Sequence, residues 1–129
     1  MNEQLLLWHK FTETQDMTIL HELLADDVTF HSPFVWQPKE GKLITSLILK
    51  TAASVFENFN YVRAIVSEHD WALEFEANIG ELSLRGIDLI KINADKKIID
   101  FEVMIRPANG LQALGIEMGK RLEAIKSKK

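Results

Sequence analysis

The spacing of apolar and polar positions changes along this chain, and the changes mark its elements. Between residues 3 and 13, Leu5, Leu6, Trp8, His9 and Thr12 recur at helical spacing. Asp16 stands as an N-cap before Ile19, Leu20, Leu23 and Leu24, which predicts a second helix. The period then drops to two. Val28, Phe30 and Ser32 share one face of a short strand, and Thr29 and His31 share the other. Pro33 and Pro38 end that strand in a loop. Gly41 precedes a third helix, whose expected inward stripe is Leu43, Ile44, Leu47, Ile48, Val55 and Phe56.

From Asn60 onward the pattern is that of strands. "NYVRAIVSEHD" reads as one. In "WALEFEANIG", Trp71, Leu73, Phe75, Ala77 and Ile79 point one way, and Glu74, Glu76 and Asn78 the other. Gly80 and Glu81 turn the chain into "LSLRGIDLIKI", and "NADKK" turns it again into "IIDFEVMIRP", where Ile99, Phe101, Val103 and Ile105 are expected on the inner face. Strands joined by such short turns are antiparallel neighbours. Leu111, Leu114, Met118, Leu122 and Ile125 form the seam of a last helix. Gly110, Gly115 and Gly119 on that helix are expected to allow close packing, because their spacing is not that of a phosphate cradle. Helices segregated from an antiparallel meander define an α+β domain, with one sheet face under the helices and one free.

Composition narrows the function. A chain of 129 residues is one domain on length. It lacks cysteine, which removes disulfides, thiolate metal sites and cysteine nucleophiles. A net charge of −4 argues against a nucleic-acid partner, and the basic tail "KSKK" reads as a solvated helix end. The N-terminal apolar run is too short for a signal peptide, and nothing approaches the length of a membrane span; a cytoplasmic protein is expected. His9, His21, His31 and His69 have no metal-ligand spacing, so no metal and no cofactor is expected.

One residue breaks the pattern informatively. Leu82, Leu84, Gly86, Asp88, Ile90 and Ile92 share a strand face that is apolar except for Asp88. A carboxyl under the helices must be paired, solvated in a cavity, or protonated. Ser32 is the inward member of the His31–Ser32 pair and suits a hydrogen bond better than nucleophilic attack, since no base serves it. Trp8 either fills the core or lines a cavity, and its indole N–H needs a partner in both cases. On the opposite face Ile87, Leu89 and Met104 form an apolar strip, which suggests a two-fold homodimer through the outer sheet face.

The order of elements and the stretch "ADDVTFHSPFVWQPKEG" resemble the nuclear transport factor 2-like superfamily, in particular its SnoaL-like members, over about residues 3–106. The tail "EVMIRPANGLQALGIEM" looks like that of a SnoaL-like subgroup of unassigned activity. The resemblance implies a cone-shaped α+β barrel: a curved antiparallel sheet wrapped around N-terminal helices, with a C-terminal helical extension over about residues 107–129, all one domain over 1–129. Within the superfamily the chain is similar to the ketosteroid isomerases, which use an aspartate base before a proline, a tyrosine on the first helix and a protonated aspartate on a central strand. Residue by residue, Ser32 stands at the base position before Pro33, Trp8 at the tyrosine position, and Asp88, in "GIDLIKIN", at the strand aspartate. The resemblance also implies that Leu73, Phe75, Phe101, Val103 and Ile105 line a pocket. Together these point to a small hydrophobic molecule bound in an apolar pocket by Trp8 and Ser32, with isomerase, cyclase or hydrolase chemistry centred on Asp88. The alternative is a non-catalytic ligand-binding or dimerisation domain on the same fold.

Overall fold

The computed structural model describes residues 2–127; Met1 and the last two lysines of the basic tail, Lys128 and Lys129, lie outside the described residues. The element order is α1 (Glu3–Thr14), α2 (Met17–Leu23), β1 (Leu24–His31), β2 (Lys39–Glu40), α3 (Lys42–Val55), β3 (Glu57–Val66), β4 (Asp70–Ile79), β5 (Leu82–Ile92), β6 (Ile98–Arg106) and α4 (Ala108–Ser127). Local chemistry explains the first boundaries. The Asn2 side chain accepts the Leu5 N–H and Gln15 ends α1 in a left-handed conformation, while the Asp16 carboxylate accepts the Thr18 N–H to start α2.

The six strands form one curved sheet in the order β2-β1-β6-β5-β4-β3. From β3 to β6 each strand pairs antiparallel with the next, as short turns require. The sheet as a whole departs from the antiparallel expectation at one place: β1 runs parallel to β6, with Phe30 opposite Phe101 and His31 opposite Glu102. No hairpin joins these two strands. The chain between them passes through α3 and the meander, and so carries no constraint to run antiparallel. The sheet is also open, with β2 and β3 as its edges, so the cone is not a closed barrel.

The core sits between the concave sheet face and the helices. Trp8, Phe11, Leu20, Val28, Phe30 and Phe101 belong to its largest buried cluster. Burial follows the alternation on β4, where Trp71, Leu73, Phe75 and Ala77 are inside. Two expectations are corrected. On α3, Leu43 is 81% exposed and Ile44 is also exposed, whereas Thr45, Ser46 and Thr51 are buried. The Ser46 and Thr51 hydroxyls donate to the helix's own carbonyls at Leu43 and Leu47, which lets these two occupy the inward face, whereas the Thr45 hydroxyl is buried without a partner among the described residues. On β6 the innermost residue at the start is Ile98, with Ile99 only half-buried, because the β5–β6 register shifts between Lys91 and Ile92 and reverses the alternation there. Among the described residues no helix is long and apolar enough to cross a membrane.

Candidate functional site

Helices α1, α3 and α4 do not close fully onto the concave face, and a cavity of about 470 Å³ remains. Trp8, Phe11 and Thr12 of α1 form one wall, and Ile48, Leu49 and Ala52 of α3 another. Leu114, Gly115, Met118 and Gly119 bring α4 over it, so the C-terminal helix is part of the enclosure. The floor is the sheet, with Phe75, Asp88, Phe101 and Val103. Gly86 is needed beneath Phe75: a Cβ there would overlap the Phe75 ring and crowd the Met104 carbonyl. The loop after β1 borders the opening through Ser32, Pro33, Phe34 and Val35. Next to it, Trp36 is 98% exposed.

Polar groups converge at one point on this apolar lining. Asp88 is 5% exposed and lies across from Leu73 on β4 and Val103 on β6. The Tyr61 hydroxyl donates to Asp88 Oδ2 at 2.6 Å, and the Trp8 indole N–H donates to Tyr61 Oη at 2.7 Å. The indole has a hydrogen and no lone pair to offer. The chain therefore has a fixed direction, Trp8 to Tyr61 to Asp88, and the phenol proton is committed to the carboxyl. Among the described residues no other side chain hydrogen-bonds Asp88. Burial pushes the Asp88 carboxyl up to about 7, against the opposing pull of the Tyr61 hydrogen bond. Tyr61 is raised well above its ordinary value, first by burial and then by the Asp88 charge. Around neutral pH this carboxyl is thus available in both forms, as a hydrogen-bond donor when neutral and as an acceptor when ionised.

Of the residues singled out by sequence, Trp8, Ser32, Phe75, Asp88, Phe101 and Val103 meet around the cavity. Leu73 is fully buried on the same sheet face but does not reach the wall. Ile105 packs under α4 with Leu114 and Met118, away from the lining. The Ser32 hydroxyl accepts the Phe34 N–H at 3.0 Å, which shapes the loop at the opening. His31 points away from the cavity, with Nε2 lying 2.9 Å from Asp100 Oδ1. Tyr61 is the residue that sequence reasoning missed. It is the one tyrosine in the chain. Its strand is an edge strand with mostly exposed residues, so alternation carries little contrast there. The usable signal was Phe59 and Tyr61 in alternate positions, a short aromatic face on an otherwise polar strand.

Two charged side chains line the cavity among the described residues, Asp88 inside and Lys39 at the exposed end. Among the described residues no cluster of three His, Cys, Asp or Glu side chains could hold a metal ion.

An open curved sheet folded over helices, with a cavity on its concave face, is the architecture of the nuclear transport factor 2-like class. Solved structures bear this out and narrow it. The chain is 44% identical to a steroid delta-isomerase from Pseudomonas aeruginosa, over 96% of this chain and 92% of that one, with a TM-score of 0.92. It is 34% identical to an uncharacterised protein with a cystatin-like fold from Silicibacter pomeroyi, over 95% and 87%, with a TM-score of 0.90. With an NTF2-like protein of unknown function from Cytophaga hutchinsonii it shares the fold alone, at 16% identity over 83% and 90% and a TM-score of 0.65. The chain belongs to the steroid delta-isomerase-like family of the nuclear transport factor 2-like superfamily. No protein-family model and no curated protein matches it.

Proposed function

We propose that this protein binds a small, mainly apolar molecule in the cavity and holds one polar atom of it against Asp88. The observation that carries the reading is that Asp88, the one buried carboxyl among the described residues, opens onto a mainly apolar wall. A neutral Asp88 would donate a hydrogen bond to a ligand oxygen, and an ionised Asp88 would accept a proton. A carboxyl near 7 can do either at little cost, which favours proton-transfer chemistry of the isomerase kind over simple storage. The similarity to a protein named a steroid delta-isomerase supports the same choice. With a serine before Pro33, the proton would have to move through Asp88 itself, positioned by Tyr61 and Trp8.

The test is a β,γ-unsaturated steroid ketone, with conversion followed by the absorbance of the conjugated product and binding followed by quenching of Trp8. Wild type is expected to bind and convert it, and Asp88→Asn to lose conversion by at least tenfold while still binding. Binding without conversion would leave the ligand-binding reading alone standing. Absence of binding by steroid ketones and by smaller apolar ketones alike would reject both.

The free sheet face supports a homodimer. Met104 is exposed beside half-buried Ile87 and Leu89, and Ile87 and Met104 are register partners across β5 and β6. Leu89→Glu is expected to shift the sedimentation coefficient to that of a monomer; an unchanged coefficient would remove this face as the interface.

A further inference from the structure

Edge strand β2 has only two residues, and one of them faces the cavity. Lys39 is the register partner of Phe30 on β1, and Phe30 is buried on the concave face. Directly opposed residues share a face, so Lys39 projects to the cavity side and joins its lining. Among the described residues nothing pairs with its ammonium. The contrast with Lys42, three positions on, is direct: its Nζ lies 3.3 Å from Asp26 Oδ1. Lys39 is also the only cation on the cavity wall among the described residues. An unpaired ammonium at the exposed end of an apolar cavity favours a ligand that brings a negative charge to that end.

We infer that the ligand is an apolar monoanion: a hydrophobic body whose anionic group, a carboxylate or a sulfonate- or sulfate-like group, rests on Lys39 at the opening. Its body lies between the aromatic walls, and its far end meets Asp88. This names the ligand class for the site proposed above and rests on that reading. Asp88 supplies no attraction for an anion, so the two charged residues order the ligand head to tail. A dianion long enough to reach both ends would meet the buried carboxyl and is disfavoured.

A matched pair of fluorescent probes tests this, anilinonaphthalene sulfonate and phenylnaphthylamine, which share an apolar body and differ in the anionic group. Gly119→Leu controls for location. Gly119 lines the exposed rim of the cavity and a Cβ there meets nothing within 4 Å, so a leucine is accommodated without a clash and narrows the entrance. In wild type at low salt the anionic probe is expected to bind about fivefold more tightly than the neutral one, the upper range for a partly exposed charge pair. Lys39→Met should remove that advantage and leave the neutral probe as it was. Lys39→Arg should keep it, and added salt should reduce it in wild type only. Gly119→Leu should weaken both probes. Unchanged anion binding in Lys39→Met, with Gly119→Leu still blocking both probes, would overturn the inference alone and leave Lys39 as a charge that guards the sheet edge. Unchanged binding of both probes in Gly119→Leu would place them outside the cavity and overturn the ligand-binding reading with it.

Discussion

Glu74 and Asp88 sit on neighbouring strands of one sheet and titrate in opposite directions. Glu74 is on the convex face of β4, where Arg63 donates two hydrogen bonds to it at 3.1 and 3.0 Å. That contact lowers its carboxyl. Asp88 is on the concave face of β5, where burial raises it to about 7. The two differ by which side of the pleat they occupy. The convex face carries further ion pairs, Arg85 with Glu76 and Lys91 with Asp70 among them, and both of these are open to solvent, while Glu74 is half-buried beside an exposed Arg63. Water already solvates those charges, so the pairs change little. On the concave face Asp88 has Tyr61 as its donor and a cavity beside it, and its proton is the variable that matters.

The largest effect expected from this contrast is in the pH dependence of stability. The unfolded Asp88 titrates near 4 and the folded one near 7, so the folded state binds the proton more tightly. The stability this group contributes is fully present below about pH 4, falls as pH rises towards 7, and is level above that. The loss across that window is up to roughly 4 kcal/mol. Asp88→Asn should flatten that slope and be more stable than wild type at pH 8, as measured by urea unfolding across the range. Parallel pH profiles for the two proteins would mean that burial does not raise the Asp88 carboxyl.

A middle-sized effect is expected at Tyr61. Tyr61→Phe removes the donor to Asp88 and leaves the Trp8 N–H without its acceptor. Unfolding should become easier by about 1–3 kcal/mol. The Asp88 carboxyl should rise further, since the bond that opposed its elevation is gone; the carboxyl carbon shift across a pH titration reads this directly. A carboxyl that titrates lower in the variant would contradict the direction assigned to the chain of hydrogen bonds. The smallest effect belongs to the convex face. Glu74→Gln should leave the melting temperature unchanged within error, and a large drop would show that the two faces are less different than their exposure implies.

Much of this site was legible in the sequence, and the parts that were not have identifiable causes. Asp88 stood out because it interrupts an apolar face of period two, and strand alternation is a local property of the backbone. The α3 stripe misled because buried hydroxyls at Ser46 and Thr51 satisfy themselves on the helix, so their polarity does not mark an outward face. Ile98 and Ile99 exchanged roles at a register shift that no pattern of residue types announces. The resemblance to the ketosteroid isomerases puts Trp8 of the first helix at the tyrosine position, while the phenol that reaches Asp88 comes from β3.

The sequence by itself determined which face of each central strand is apolar, and hence that Asp88 and Glu74 would meet opposite environments. Only the tertiary structure decided what Asp88 meets there. Its partner Tyr61 lies 27 residues away and the indole that orients Tyr61 a further 53 from it. Lys39 enters the cavity only because β2 pairs with β1 beside Phe30. Alternation follows from the geometry of single residues. Contacts across the fold depend on how strands pair and how far helices stand off the sheet, and those are settled by packing over the whole chain.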